Sequence, residues 1–131
     1  MPTVLIIDDN DDLRETLVVL LEDEGYTVIA ASDGESGIRA FDEARPDLVL
    51  TDVIMPDSDG IETIRQIRAA DGEARIVAMS GGSLIGNDYY LRMAKTLGAM
   101  EVLPKPFEID ELVRVIERCL HSPGQSPATA A

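Results

Sequence analysis

Short apolar runs alternate with stretches of helical periodicity along most of the chain. The apolar runs predict buried strands and cover residues 4–7, 27–31, 48–50, 75–79 and 101–103. Between and after them, apolar residues recur at helical spacing, and the clearest stripe comprises Ile109, Leu112, Val113, Ile116 and Leu120. Five strand–helix units with short connections predict an α/β fold: a doubly wound, five-stranded parallel sheet with helices on both faces.

Polar residues and glycines predict where several helices begin and end. Asn10 or Asp11 can cap the first helix, and the acidic residues around its start suit the positive end of the helix dipole. Asp59 is the predicted cap of the third helix. The fourth helix is predicted over residues 88–97 and ends at Gly98.

Composition and charge narrow the class of protein. Of the 131 residues, 45% are hydrophobic and 27% are charged, which predicts one globular domain over residues 1–121. Residues 122–131 lack an apolar period and are expected to be a disordered tail. The 25 acidic residues against 11 Lys and Arg give a net charge of −14. Phosphate backbones and anionic lipids would repel such a surface, so we expect neither nucleic acid nor membrane as a partner.

Cysteine use and hydropathy favour a cytoplasmic location. A single cysteine, Cys119, cannot form an internal disulfide, and its place in an apolar helix stripe predicts core packing. No run of roughly 18 apolar residues is present to span a membrane. We also expect no signal peptide, because the chain passes from Met1 almost directly into the first predicted strand.

Polar side chains follow four of the predicted strands. The first strand leads to Asp8 and Asp9, the third to Asp52, the fourth to Ser80 and the fifth to Lys105. The carboxyl ends of parallel strands meet at one edge of a sheet, where ligand sites form. Three converging carboxylates repel one another, which raises the pKa of at least one of them or recruits a cation, and oxygen ligands of this kind suit Mg²⁺. An aspartate can attack phosphorus to give an acyl phosphate, while a hydroxyl and an ammonium hold phosphoryl oxygens.

Each of these signals also has a structural interpretation. Residues 8–12 can be a solvated helix start, and Asp52 can be a turn former. Ser80 before two glycines is ordinary loop chemistry, and Lys105 between prolines can be a charge at the rim. Their joint placement at successive strand ends favours one functional site.

Four segments carry a resemblance to a known family. They are Ile7-Asp8-Asp9, the stretch from Thr51-Asp52 to Asp59-Gly60, Met79-Ser80-Gly81, and Leu103-Pro104-Lys105-Pro106-Phe107. With them the chain resembles, over about residues 3–120, the receiver domain of bacterial two-component response regulators, of the stand-alone single-domain type. The resemblance implies a flavodoxin-like sheet of strand order 2-1-3-4-5. It also implies that Asp52 accepts a phosphoryl group from a histidine kinase or a histidine phosphotransfer protein.

The same resemblance implies roles for the residues around the acceptor. Asp9 and Asp52 would ligate Mg²⁺ together with the backbone carbonyl of Ile54, while Asp8 would act mainly through water. Ser80 would reach toward the phosphoryl group and Lys105 would pair with it. The bond between Lys105 and Pro106 is expected to be cis.

Two departures from the family pattern carry predictions of their own. Val102 occupies the position of an aromatic ring that usually swings inward, so we expect the glycine-containing loop after Ser80, with the 88–97 helix, to carry the conformational change. Neither Ile54 nor Gly82, two residues beyond the acceptor and Ser80, can orient an attacking water. Slow hydrolysis of the phosphoryl group is therefore predicted.

The leading functional interpretation is a phosphorylation-controlled binding module without a DNA-binding output domain. Phosphate would bias two conformations that a protein partner reads, or the group would be relayed onward. The expected docking surface is the face of the fourth helix, fifth strand and fifth helix, where Tyr89, Tyr90, Met93 and Met100 are either partly exposed or packed in the core. The chain would not be an enzyme beyond self-phosphotransfer and slow self-dephosphorylation.

Two alternatives belong to other classes. A Mg²⁺-dependent phosphatase or phosphotransferase that turns over an aspartyl phosphate on a small substrate would usually carry a second acid two residues after the nucleophile, where this chain has Ile54. A degenerate receiver would bind partners without phosphate, and the intact set of Asp9, Asp52, Ser80 and Lys105 argues against it.

Overall fold

Five parallel strands form one sheet in the computed structural model, which describes residues 1–55, 58–80 and 87–121, with backbone only at 54–55, 58–59 and 87–91. The strands are β1 Thr3–Ile7, β2 Thr27–Ala31, β3 Leu48–Asp52, β4 Ile76–Ser80 and β5 Glu101–Pro104. Their order is β2-β1-β3-β4-β5, and every neighbouring pair is parallel. The predicted doubly wound sheet of order 2-1-3-4-5 is confirmed.

Helices cover both faces of this sheet. They are α1 Asp11–Asp23, α2 Gly34–Ala44, α3 Gly60–Ala70, α4 Asn87–Thr96 and α5 Ile109–Leu120. One core layer joins α1 and α5 to the sheet, and the other joins α2, α3 and α4 to the opposite face. Because side chains alternate along a strand, Ile6 packs in the first layer while Ile7 packs in the second.

Local chemistry accounts for the ends of these helices. The Asn10 side chain accepts a hydrogen bond from the Leu13 N–H at 3.0 Å, which caps α1 as the sequence predicted. Gly25 follows the other end of α1 with φ +99°, a conformation that favours glycine. These caps leave short connections, so each helix returns directly to the sheet.

Some details differ from the sequence prediction. Two short strands, Ile54–Met55 and Ser58–Asp59, pair antiparallel between β3 and α3, where the apolar pattern predicted no strand. Strands of two residues are too short to show a period. Strand β4 begins one residue later than predicted, at Ile76. On α5, Val115 is buried although the stripe omitted it, whereas Val113 is half-buried.

Several other predictions lie outside what the structure describes. They concern the tail at 122–131, the glycines between residues 81 and 86, and the side chains of Asp59, Tyr89 and Tyr90. Cys119 is buried in the first core layer, as predicted. In the described ranges, no helix combines the length and the apolar character needed to cross a bilayer.

Candidate functional site

Asp8 is the first polar residue beyond β1 and is fully buried. Its backbone N–H donates to the Ala31 carbonyl at 3.1 Å, which continues the ladder between β1 and β2. One carboxylate oxygen accepts the Asn10 N–H at 2.9 Å, and the other lies 2.9 Å from the Lys105 ammonium. The Asp8 side chain is therefore held on one side by the residue that caps α1 and on the other by Lys105, in the loop after β5.

Asp52 is the last residue of β3 and is 4% exposed. Its carboxylate lies 3.1 Å from the Lys105 ammonium. Gly60, the first residue of α3, packs against the backbone of Asp52 so closely that a Cβ there would lie 2.4 Å from the Asp52 carbonyl oxygen. Only glycine fits this contact, and the start of α3 thereby supports the backbone of the acid.

Three acidic side chains converge at this edge of the sheet. Ligand oxygens of Asp8, Asp9 and Asp52 lie within 4.8 Å of one another. Asp9 is exposed, so the group opens to solvent on one side. With the Lys105 ammonium included, three carboxylates and one cation leave an excess of two negative charges, which suits a divalent cation with oxygen ligands. The sequence-predicted acids thus form a cluster able to bind a metal ion.

Lys105 reaches this cluster from the loop after β5. Its backbone N–H donates to the Ser80 carbonyl at 2.7 Å, which ties the loop to the end of β4. Burial opposes the charged form of the ammonium, but its hydrogen bond to Asp8 and the charge of Asp52 outweigh burial and raise the pKa above the ordinary value of 10.5. The ammonium is therefore charged at neutral pH. The Lys105–Pro106 bond is cis, as predicted.

Ser80 ends β4 and is fully buried. Its hydroxyl oxygen has no hydrogen-bond partner among the residues that the structure describes. A buried hydroxyl without a partner is costly, so such a group is often one that serves a ligand. Its neighbour Met79 is the register partner of Asp52, which places Ser80 at the same edge of the sheet.

Two residues at the site were not singled out by the sequence. Gly60 was noted only as the end of one segment that carries the family resemblance, yet it makes the close contact with Asp52. The Arg14 guanidinium donates to the Asp8 carbonyl oxygen at 2.8 Å and lies 2.5 Å from the Asp11 carboxylate. The helical spacing of Asp11 and Arg14 could have indicated the second contact.

Other predicted features are only partly described. Ile54 lies two residues beyond Asp52 at the start of the short antiparallel pair, and its role as a metal ligand stays a prediction. Val102 is half-buried against the core layer of α2, α3 and α4. On the predicted docking face, Met93 and Met100 are half-buried, and an ion pair of 3.0 Å joins Glu101 on β5 to Arg118 on α5.

Comparison with known proteins gives one consistent family. The model of the response regulator receiver domain matches residues 4–117. The chain is 31% identical over 119 residues to the chemotaxis protein CheY of Listeria monocytogenes. The aligned region covers 90% of this chain and 98% of that CheY. It is 35% identical over 131 residues to the DNA-binding transcriptional regulator NtrC of Azospirillum brasilense, covering 98% of this chain. The chain spans 27% of the length of NtrC.

Solved structures agree with these relatives. The crystal structure of the receiver domain of NtrX from Brucella abortus matches with a TM-score of 0.84 at 32% identity, covering 91% of this chain and 98% of that chain. Fold, family model and sequence relatives therefore coincide. The chain belongs to the response regulator receiver domain family, whose members are phosphorylation-dependent signalling domains of two-component systems.

Proposed function

We propose that this chain accepts a phosphoryl group on Asp52, from a histidine kinase or a histidine phosphotransfer protein, with Mg²⁺ bound at the acidic cluster. The observation that carries the proposal is the position of the Lys105 ammonium, 3.1 Å from Asp52 and 2.9 Å from Asp8. A buried carboxylate beside a fixed cation and two further acids has the groups needed to receive a phosphoryl group and neutralise its charge.

The proposed reaction is an in-line transfer. A carboxylate oxygen of Asp52 attacks the phosphorus atom and forms an acyl phosphate, while the bond from phosphorus to the imidazole nitrogen of the donor breaks. The imidazole leaves with the electron pair of that bond and takes a proton from solvent. Mg²⁺, held by Asp9 and Asp52 with the Ile54 carbonyl, and by Asp8 through water, would neutralise charge on the transferring oxygens.

Residues of the chain orient the group that arrives. Lys105 can exchange part of its contact with Asp52 for a phosphoryl oxygen without leaving its loop, since its ammonium has three donors. The buried Ser80 hydroxyl would donate to another phosphoryl oxygen, which would give it the partner it lacks among the described residues. Both contacts would require a phosphoryl group at the site, so once it is bound to Asp52 they can favour a second conformation of the chain.

The proposed output is a change in a protein-binding surface, or onward relay of the phosphoryl group. The surface proposed is the face of α4, β5 and α5, where Met93, Met100 and the pair of Glu101 and Arg118 lie. Because Val102 lacks the ring that usually swings inward, the loop after Ser80 would link the site to this face. A cytoplasmic location and slow loss of the phosphoryl group complete the proposal.

The proposal is tested by intact-mass spectrometry after incubation with acetyl phosphate and MgCl₂. Wild type is expected to gain one phosphoryl group, and Asp52→Asn is expected to gain none. Asp42→Asn removes the same charge from an exposed position on α2 and should behave like wild type. A folded wild-type protein that binds Mg²⁺ but gains no phosphoryl group would instead be a degenerate, phosphate-independent receiver.

A further inference from the structure

One basic side chain bridges the loop that carries Asp9. The Arg14 guanidinium donates to the backbone carbonyl of Asp8 at 2.8 Å and pairs with the Asp11 carboxylate at 2.5 Å. These two anchor points flank Asp9 along the chain. The Arg14 side chain is 16% exposed whereas the Asp11 side chain is 75% exposed, so the bridge is shielded from solvent at its Arg14 end only. A guanidinium is planar and presents its donors in a fixed fork, so two simultaneous bonds hold the Asp8 carbonyl at a set distance from Asp11 in the first turn of α1.

The hydrogen bonds described around Asp9 are made by the residues before and after it in the chain. Asn10 donates its backbone N–H to Asp8 at 2.9 Å and accepts the Leu13 N–H on its side chain at 3.0 Å. The Arg14 N–H donates to the Asn10 carbonyl at 2.9 Å. Within the described part of the chain, no hydrogen bond or ion pair is seen on the exposed Asp9 carboxylate itself. The position of this carboxylate therefore depends on how firmly the flanking backbone is held.

We propose that Arg14 is a positioning residue for the divalent cation, acting through the Asp8 carbonyl on one side of Asp9 and the Asp11 side chain on the other. The proposal rests on the proposed function, in which Asp9 is a ligand of Mg²⁺. With the loop held before the cation arrives, Asp9 stays within the 4.8 Å cluster, and less conformational freedom is lost on binding. Arg14 itself does not contact the cation.

The charge of Arg14 makes this role distinguishable from simple electrostatics. A positive guanidinium close to the cluster repels a divalent cation, so neutralising it would strengthen Mg²⁺ binding if charge alone mattered. Positioning predicts the opposite sign, because a neutral side chain that cannot make both bonds releases the loop. A structural role limited to overall stability would change the free energy of unfolding and leave the affinity for Mg²⁺ unchanged.

The test is the dissociation constant for Mg²⁺, measured by NMR titration with MgCl₂ on wild type, Arg14→Gln and Arg14→Lys. Arg14→Gln is expected to bind about tenfold more weakly. Arg14→Lys keeps the charge but cannot span the two oxygens in the same way, so it is also expected to bind more weakly. Arg65→Gln is the matched control, because Arg65 pairs with Glu62 at 2.8 Å with the same spacing on α3, and it should leave the affinity unchanged.

Each outcome separates the possible roles. Unchanged or tighter Mg²⁺ binding in Arg14→Gln would overturn the inference. Urea unfolding checks that each variant folds, and a positioning role predicts that the cooperative unfolding transition is retained. Amide hydrogen exchange, measured in EDTA to remove metal, should show faster exchange of the Asn10 amide in the Arg14 variants than in wild type. If Arg14→Gln does not fold, Arg14→Lys decides alone. If the wild type does not bind Mg²⁺, the proposed metal site is overturned. If the wild type binds Mg²⁺ and the Arg14 variants bind it with the same affinity, only this inference is overturned.

Discussion

The ammonium nitrogen of Lys105 lies 3.1 Å from a carboxylate oxygen of Asp52, although 53 positions separate the two residues in the chain. The same ammonium lies 2.9 Å from Asp8, which is 97 positions away. The Lys105 ammonium thus joins the ends of β1, β3 and β5, and all three side chains are largely buried. Several measurable properties of the protein follow from this relationship.

Removing the Lys105 ammonium should destabilise the fold. In Lys105→Met two buried carboxylates lose their shared partner, and we expect the free energy of unfolding to fall by about 3 kcal/mol. Lys95→Met is the matched control, since it removes the same charge from an exposed side chain on α4 and should cost less than about 1 kcal/mol. Urea denaturation at neutral pH measures both, and equal losses would show that the buried pairing contributes nothing particular.

The stabilising effect of Lys105 should depend on pH in one direction. Because the folded-state pKa is raised above 10.5, its contribution is fully present below that value and is lost as the pH rises through the folded pKa. The difference in unfolding free energy between wild type and Lys105→Met should be constant between neutral pH and about pH 10 and should shrink as the pH rises further, through the raised folded-state pKa. Burial raises the pKa of the Cys119 thiol to about 11, and this group titrates in both proteins and cancels in the difference. A difference that grows at high pH would contradict the assignment.

Magnesium should stabilise the folded protein through Asp9. A ligand that binds only the folded state adds stability in proportion to the logarithm of its concentration, so millimolar MgCl₂ should raise the melting temperature of the wild type. Asp9→Asn should abolish this rise. Asp12→Asn removes the same charge from an exposed position in the first turn of α1 and should retain it. Loss of the rise in both variants would indicate a general charge effect rather than a site.

The contact beneath Asp52 should be sensitive to a single methyl group. In Gly60→Ala the new Cβ would meet the Asp52 carbonyl oxygen and the Val53 backbone, both at 2.4 Å, so the acceptor must shift. We expect a loss of about 1–3 kcal/mol in stability and a clear fall in the rate of phosphorylation by acetyl phosphate. Gly25→Ala strains a left-handed position with open space around it and should lower stability without slowing phosphorylation. Equal rates in the two variants would contradict the proposed role of Gly60.

The strands and the acidic ends of β1 and β3 were predictable because buried parallel strands leave continuous apolar runs. The polar residues within two positions of the end of each run are then visible in the sequence, as with Asp8, Asp52 and Ser80. The order of the strands came from the family resemblance, since nothing in an apolar run says which neighbour it pairs with. The observed sheet confirms the strand order 2-1-3-4-5 that the resemblance implied.

The supporting residues were harder to predict for physical reasons. Arg14 is one basic residue among several acids, and only the folded loop selects the Asp8 carbonyl as its partner. The role of Gly60 depends on how the chain turns after Asp52, where the short strands are too brief to leave a pattern. Val115 escaped the predicted stripe because several apolar residues on α5 compete for the same face.

The central claim is that Asp52, rather than another acid of the cluster, receives the phosphoryl group. The most direct measurement is to phosphorylate the protein with acetyl phosphate and MgCl₂, reduce the acyl phosphate with borohydride, and locate the resulting homoserine by peptide mass spectrometry. We expect homoserine at position 52 alone, and only when MgCl₂ is present. Homoserine at position 8 or 9, or at none of the three acids, would contradict the account.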